Sequence, residues 1–347
     1  MIPSPRGRET ETKMKAFLIE RYGDKAGVRA GEVPNPEVGA DDVLVKIHAA
    51  SVNPLDLKLR DGAFKAFLPY RLPLVLGNDL AGTVVRVGPA VTRFAVGDEI
   101  YARPDKDRIG TFAELIAVHQ DDVAIKPATL TMEEAASLPL VALTARQALV
   151  ERAQVQPGQK VLIHAGAGGL GTIAVQLAKA LGAHVAATAS TAKADLVKEL
   201  GADVVVDYRK QDFETVLDGY DVVLDSLGGE TLAKSLRVLK PGGKAIGVAG
   251  PPDAAFAREL GLNPILRIVM SALSFTTRRR AKRRGVTYSF LFMKAGGGTL
   301  REFARLVDAG KIRPVVDRVF PFDQTPKAME YVEKGRAKAG KVVISMT

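Results

Sequence analysis

The feature that most constrains this chain is the turn Gly166-x-Gly168-x-x-Gly171. It follows residues 161–165, Val-Leu-Ile-His-Ala, which read as a buried strand. It opens a run in which Leu170, Ile173, Ala174, Leu177, Ala178 and Leu181 recur at helical spacing, stopped by Gly182. Three glycines between a strand and a helix let the backbone turn tightly and approach a pyrophosphate, while the helix N-terminus offers free N–H groups and a positive dipole end. A ligand-free glycine-rich turn is the alternative, but the strand–turn–helix context favours a dinucleotide site. Gly166, Gly168, Gly169, Leu170 and Gly171 are its candidate binding residues.

The surrounding pattern agrees. Strands are expected over 184–188, 204–207, 222–225 and 244–248, with helices around 195–200 and 232–239. Such alternation builds a parallel sheet wrapped by helices. The preceding part is strand-rich, with short β-branched runs at 43–49, 83–88, 97–101 and 112–118 between Gly/Pro turns, as in a barrel-like β domain. Thr131-Met132-Glu133-Glu134 is a capping box that starts a helix through Ala136. A helix near 300–308 and β-like pieces at 314–316 and 341–344 are expected to return and complete the first domain. The expected organisation is a disordered extension over 1–13, a β-rich domain from 14–134 and 298–347, and a dinucleotide domain over 135–297.

The end of the second strand selects the dinucleotide. An NAD site wants a carboxylate there for the ribose 2′-OH. This chain has Ala186-Ala187-Thr188-Ala189-Ser190-Thr191-Ala192-Lys193, with none. Ser190 can bond a 2′-phosphate, Lys193 can neutralise it, and Tyr208 can add a phenolic donor. The plain alternative is that Ser190 caps a helix and Lys193 is solvated. NADPH is the expected cofactor.

Composition removes several classes. With no cysteine there is no disulfide, thiolate nucleophile or sulfur-ligated zinc. This suits a reducing compartment, and a cytoplasmic location is expected. No run of 18 apolar residues appears, and the polar N-terminus lacks a secretory h-region. The net charge of +10 is concentrated, with six basic residues within 278–284. No aromatic stacking platform accompanies them, so no nucleic-acid partner is expected.

Further marks are Ser51-Val52-Asn53-Pro54-Leu55-Asp56, Gly77-Asn78-Asp79-Leu80-Ala81-Gly82, Leu143-Thr144-Ala145, Leu200-Gly201-Ala202-Asp203, Gly310-Lys311-Ile312-Arg313-Pro314-Val315 and Gly340-Lys341-Val342-Val343. Taken with the glycine motif, in this order and spacing, they resemble the zinc-independent quinone oxidoreductases of the medium-chain dehydrogenase/reductase superfamily. The NADPH-dependent alkenal/enone reductases are the most similar branch. The resemblance runs from about Met14 to the C-terminus. It implies a GroES-like β domain built from both ends of the chain, a Rossmann domain between, and a homodimer. Zinc relatives place cysteine where Asn53 stands, and histidine and glutamate at Asn78-Asp79, so no metal ligand is expected. His48, His119, His164 and His184 form no zinc-binding pair at helical spacing and read as packed or solvated histidines.

By the same resemblance, Asn53 orients substrate or ribose, and Lys58 lends a positive donor to a developing enolate. Thr144 meets the nicotinamide end, Gly228 and Gly229 let the cofactor's middle pass, Ala249 and Gly250 border the nicotinamide, and Lys341 stands near the pyrophosphate. Each lysine has a plain alternative as a surface or edge-strand residue. Without a metal, alcohol oxidation loses its means of stabilising an alkoxide, whereas a conjugated acceptor spreads charge onto a distant oxygen that hydrogen bonds can hold. The expected reaction is NADPH-dependent reduction of an enone, alkenal or quinone. Rival readings are an enoyl-thioester reductase and a non-catalytic NADPH-bound adaptor acting through the basic segment. Residues 263–275 are apolar and helix-like and run into that segment. Peripheral membrane contact through 263–284 is one reading, and a helix roofing the cleft or packing in a dimer is the favoured one.

Overall fold

The computed structural model describes residues 13–23 and 27–346. The extension expected over 1–13 therefore lies outside the described residues as far as Thr12, while Lys13 already belongs to the first strand. In chain order the first lobe runs β1 (Lys13–Ile19), β2 (Arg29–Pro34), β3 (Asp42–Val52), α1 (Pro54–Arg60), β4 (Leu74–Val75), β5 (Asp79–Val87), β6 (Glu99–Ala102), β7 (Leu115–His119) and β8 (Val123–Ile125). Helices α2 (Met132–Ala136) and α3 (Pro139–Arg146) lead into β9 (Lys160–Ile163), α4 (Gly169–Ala180), β10 (His184–Ala189), α5 (Ala194–Glu199), β11 (Val204–Asp207) and β12 (Tyr220–Asp225). Then come α6 (Gly229–Val238), β13 (Leu239–Gly247), α7 (Ala254–Glu259), α8 (Pro264–Arg283), β14 (Thr287–Phe290), α9 (Gly297–Asp308), β15 (Val316–Pro321), α10 (Thr325–Glu333) and β16 (Lys341–Ser345).

Strands β11-β10-β9-β12-β13-β14 form a wholly parallel six-stranded sheet in that order. Succession runs outward in both directions from β9, so the crevice where this fold takes ligands opens at the carboxyl ends of β9 and β12. Val161, Leu162 and Ile163 of β9 are fully buried, as a central strand covered on both faces requires. In the first lobe the order is β15-β16-β3-β5-β6-β8, with β7 also on β3, and a three-stranded sheet β2-β1-β4 beside it. Strand β16 pairs antiparallel with β3, setting Val343 opposite Ser51 and Ile344 opposite Ala50. The architecture is a GroES-like β-rich domain and a Rossmann domain.

Helix α4 explains how the lobes join. Its residues from Gly171 to Ala178 are all buried, because one side lies on the parallel sheet and another on α3. A helix covered all round must be apolar all round, and its one amide, Gln176, is fully used. That side chain donates to Arg313 O (2.9 Å) and accepts from Arg313 N (2.9 Å), which ties the returning chain to α4. At α2 the capping box is present: Thr131 Oγ1 accepts from Glu134 N (3.2 Å), and Glu134 Oε2 accepts from Thr131 N (2.9 Å).

One expectation is displaced. The β-like piece at 314–316 is instead β15, which starts at Val316 and reaches Pro321 as an edge strand. Its Asp317 and Arg318 blur the alternation on which the expectation rested. The apolar run at 263–275 and the basic run at 278–284 belong to one helix, α8. Asn263 caps it by accepting from Leu266 N (2.9 Å), Pro264 occupies its first turn, and no glycine or proline follows before Gly285.

The lobes also meet through Gly340. It has φ +68°, its N–H donates to Ala167 O (2.8 Å), and a Cβ there would stand 1.9 Å from Val315 O. Gly340→Ala is expected to lower unfolding stability by about 2 kcal/mol or more, combining left-handed strain with the clash. Urea denaturation monitored by circular dichroism would measure this, and an unchanged midpoint would contradict it.

Candidate functional site

The crevice starts at the glycine turn. The Gly166 N–H donates to Thr188 O (2.8 Å) and the Gly168 N–H to Ala165 O (2.8 Å), which folds the loop back on β10. A Cβ on Gly166 would stand 2.8 Å from Ala187 Cβ, and one on Gly171 2.1 Å from Ala165 O. No larger residue fits either place. Ala165 adopts φ +51°, an unusual conformation for a residue with a Cβ, directly beneath the loop. Its N–H donates to Thr188 Oγ1 (3.1 Å). The N–H groups of Gly169, Leu170 and Gly171 open the first turn of α4, where they have no intrahelical acceptor. This is the cradle a pyrophosphate needs, and it fits a dinucleotide.

His164, just before the loop, is a structural residue. Its Nε2 lies 2.8 Å from Ser235 Oγ and its Nδ1 3.2 Å from Thr188 Oγ1. Burial lowers its pKa to about 4, so it is neutral at physiological pH.

The adenosine end lies beyond β10. Ser190 is buried and its hydroxyl caps nothing, so it is free for a ligand. Lys193 is half-buried, and its Nζ reaches Ala337 O at 3.4 Å. Tyr208 follows β11 and is 58% exposed, with Arg209 beside its ring. Sequence reasoning missed Asp207 here. From the end of β11 its carboxylate accepts from Thr191 Oγ1 and from Arg209 N (3.0 Å), and the Thr191 hydrogen bond holds its pKa below the usual carboxylate range. Parallel pairing sets Asp207 level with Ala189 of β10, a neighbour that no local window reveals.

On the other side of the switch point, Gly228 has φ +71° and its N–H donates to Asp225 Oδ1 (2.6 Å). A Cβ on it would stand 2.7 Å from Ala249 O, so the Gly228 and Gly250 turns are in contact. Gly250 lies under the Tyr288 ring, whose hydroxyl donates to Pro251 O (2.8 Å). Tyr288, from β14, thus holds the loop that carries Ala249. Thr144, on α3, donates its hydroxyl to Leu140 O (2.7 Å) and is nearly buried.

The floor between the lobes is a buried polar network. Asp79, fully buried at the start of β5, accepts at Oδ2 from Ser51 Oγ (2.7 Å), Asn53 Nδ2 (2.9 Å) and Lys341 Nζ (3.4 Å), and at Oδ1 from Leu140 N (2.7 Å). The Lys341 ammonium also donates to Asn53 Oδ1 and to Val52 O (3.3 Å). Burial lowers its pKa against the pull of Asp79 and Asp56. Its stem crosses Gly169, where a Cβ would meet Lys341 Cδ at 2.6 Å. One side chain therefore joins the pyrophosphate cradle to the first lobe.

Asp56 extends the network. It accepts from Asn53 N (2.7 Å) and Asn78 Nδ2 (2.7 Å), and burial raises its pKa to about 6. Arg103, fully buried behind Asn78, donates to Asn78 Oδ1 at 3.4 Å.

Two expected roles change. Lys58 is exposed on α1. Asp56 faces inward, and residues two apart on a helix face opposite ways, so Lys58 points out. The buried ammonium at this floor is that of Lys341. Asn53 keeps its place, but its amide is engaged by Asp79, Ser51 O (3.4 Å) and Lys341 and is a fixed part of the floor. An aromatic cluster that sequence reasoning did not single out also spans the lobes. Phe64 and Phe67, after α1, stand edge-to-face on Phe292 (5.8 Å) and Phe256 (5.9 Å).

The floor does not fit zinc. Its donors are two carboxamides and two carboxylates, Asp79 committed to four hydrogen bonds and Asp56 to two, with an ammonium among them that repels a cation. Among the described residues no three His, Cys, Asp or Glu side chains gather as a metal site.

Residues 39–128 match the family described as alcohol dehydrogenase GroES-like domain, and residues 200–344 the one described as zinc-binding dehydrogenase. The chain is 37% identical to the mitochondrial NAD(P)H oxidoreductase RTN4IP1 of Danio rerio, over 96% of this chain and 92% of that protein. It is 36% identical to the chloroplastic NADPH-dependent alkenal/one oxidoreductase of Arabidopsis thaliana, over 96% and 79%. The solved quinone oxidoreductase of Coxiella burnetii superposes with a TM-score of 0.84 at 31% identity, covering 97% of this chain and 100% of that one.

Two predictions follow from the floor. Lys341→Met leaves Asp79 a buried carboxylate short of its counter-ion and should cost about 3–5 kcal/mol, whereas Lys341→Met with Asp79→Asn should recover most of the loss. A double-mutant cycle by urea denaturation measures it, and additive losses would refute the coupling. Burial pushes the Asp56 carboxyl up to about 6, above the ordinary aspartate value of 3.8, so the folded protein holds its proton more tightly than the unfolded chain. Its contribution to stability is full below about pH 4 and is lost as pH rises through 6, by about 3 kcal/mol at most. Urea titrations across this window should show the wild type losing stability relative to Asp56→Asn as pH rises, and parallel profiles would contradict this.

Proposed function

Because this chain belongs to the medium-chain dehydrogenase/reductase superfamily, as an oxidoreductase that uses a nicotinamide cofactor, we propose that it reduces conjugated carbonyl compounds (enones, alkenals or quinones) with NADPH. The observation that carries this reading is the floor of Asn53, Asp79 and Lys341, whose Asn53 and Asp79 stand, by the family resemblance, at positions where the zinc relatives carry metal ligands. A site without a Lewis acid suits an acceptor that takes hydride at carbon and delocalises the charge to an oxygen. When bound, the reduced nicotinamide supplies that hydride.

The chain's own residues have separate tasks. The first turn of α4 binds the pyrophosphate, and Gly228 and Gly250 leave room for the cofactor to cross the switch point. Ser190 and Lys193 take the 2′-phosphate. Asp207 is no obstacle to this, since its oxygens are held by Thr191 and Arg209 N and the Lys210 ammonium stands 3.9 Å away. Lys341 and Asp79 hold Asn53 in place beneath the substrate. Phe64, Phe67 and Phe292, backed by the buried Phe256, offer an apolar wall to a flat conjugated acceptor. Water delivers the final proton. The naming of relatives as alkenal/one and quinone oxidoreductases supports the same substrate class.

Stopped-flow oxidation of NADPH and of NADH is the direct test, against a 2-alkenal, a vinyl ketone, an ortho-quinone and a crotonyl thioester. Turnover is expected with NADPH and one of the first three. Lys193→Gln should raise the KM for NADPH about tenfold, the loss of roughly one charge-assisted hydrogen bond, and leave that for NADH unchanged. Turnover of the thioester alone would favour an enoyl-thioester reductase, and tight NADPH binding without any turnover would favour an adaptor.

A further inference from the structure

Helix α8 turns toward solvent a face that nothing in the described chain covers. At about 100° per residue, Ile265, Val269, Ala272, Thr276, Arg279 and Arg283 fall along one line, flanked by Ile268, Leu273, Phe275 and Arg280. All ten are exposed. Ile265 is 72% exposed, Ile268 69% and Leu273 59%. Met270, Ser274 and Ala281 form the opposite, buried line against the Rossmann domain. The outer face is therefore apolar along its first half and basic along its second.

The charge is unopposed. Residues 263–284 contain seven basic side chains and no acidic one, and among the described residues none of the seven forms an ion pair. Arg278 is held by Ser271 Oγ (2.7 Å), Ser271 O (3.1 Å) and Ser274 Oγ (3.2 Å). Arg267 donates to Leu262 O (2.6 Å). Arg279 lies over the Phe275 ring (6.0 Å) with its N–H groups unbonded among the described residues, and the others can likewise meet an external anion.

We propose that this face docks on an anionic lipid surface. The apolar half would enter the interface between headgroups and acyl chains, and Arg279, Arg280, Arg283 and Arg284 would meet phosphate and carboxylate headgroups. A second copy of the chain fits less well, because a symmetric contact centred on α8 would set two such helices side by side with no acidic residue on either. A nucleic acid would use the arginines but leave the exposed isoleucines and leucine unburied. No helix among the described residues is long and apolar enough to cross a membrane, so α8 lies on the surface and does not span it. A bilayer also dissolves apolar conjugated acceptors, which would place the enzyme beside them. The docking itself does not rest on that activity.

The test is co-sedimentation of the full chain with vesicles of phosphatidylcholine alone and of phosphatidylcholine enriched in phosphatidylserine. Binding to the second only, weakened by salt, is expected. Replacing Arg279, Arg280 and Arg283 by Gln should weaken partition about a hundredfold or more, since each charge near an anionic surface contributes about 1 kcal/mol. Replacing Ile265, Ile268 and Leu273 by Ser should weaken it independently. Circular dichroism and thermal melts confirm that both variants fold. Equal binding by the wild type and both variants would overturn the proposal. So would an Ile265/Ile268/Leu273 variant that changes oligomeric state in size-exclusion chromatography while the wild type ignores vesicles. Preferential binding of a DNA duplex over the anionic vesicles would also overturn it.

Discussion

The junction of the two lobes depends on one buried carboxylate, that of Asp79. A charge removed from water must be paired and hydrogen-bonded or it destabilises the fold by several kcal/mol. Asp79 meets that demand with four donors from three separate parts of the chain: Ser51 and Asn53 where β3 runs into α1, the Leu140 N–H at the start of α3, and Lys341 on β16. The first lobe, the linking helix and the returning C-terminal strand are thus held at one point. Their relative placement is what gives the crevice its shape.

Lys341 carries this constraint into the cofactor cradle. Its stem lies against Gly169 in the first turn of α4, and the preceding Gly340 hydrogen-bonds Ala167 in the glycine loop. A Cβ on Gly169 would crowd the Lys341 stem, and one on Gly340 would strike Val315 O. The pyrophosphate loop and the substrate-side floor therefore cannot move independently. An ammonium fixed in a hydrogen-bonded network also gives this site a different character from a metal centre. It provides charge and orientation, with no open coordination position for an oxygen.

Much of this was legible in the residues. The glycine turn, the strand before it and the helix after it impose local geometry, and the parallel sheet follows from the alternation of elements. The capping box at Thr131 and Glu134 formed as its spacing implies. Legibility failed where contacts are long-range. Lys58 and Lys341 are both lysines beside motif residues, and only the helical phase of α1 and the pairing of β16 with β3 decide which amine is buried. Asp207 reaches Thr191 only because β10 and β11 lie side by side. The segment 263–284 reads in sequence as an apolar helix running into a basic stretch, while only the packing of Met270, Ser274 and Ala281 against the Rossmann domain decides which side chains face solvent.

By itself the sequence determined the elements and the cofactor class. Glycine spacing, hydrophobic period and caps act over a few residues, and local backbone sterics and burial are enough to specify them. Only the tertiary structure decided which polar groups share the crevice. Asn53, Asp79 and Lys341 are separated by up to 288 positions, and their meeting is set by strand register and by the need to satisfy every buried charge. Those conditions exist only once the lobes have packed.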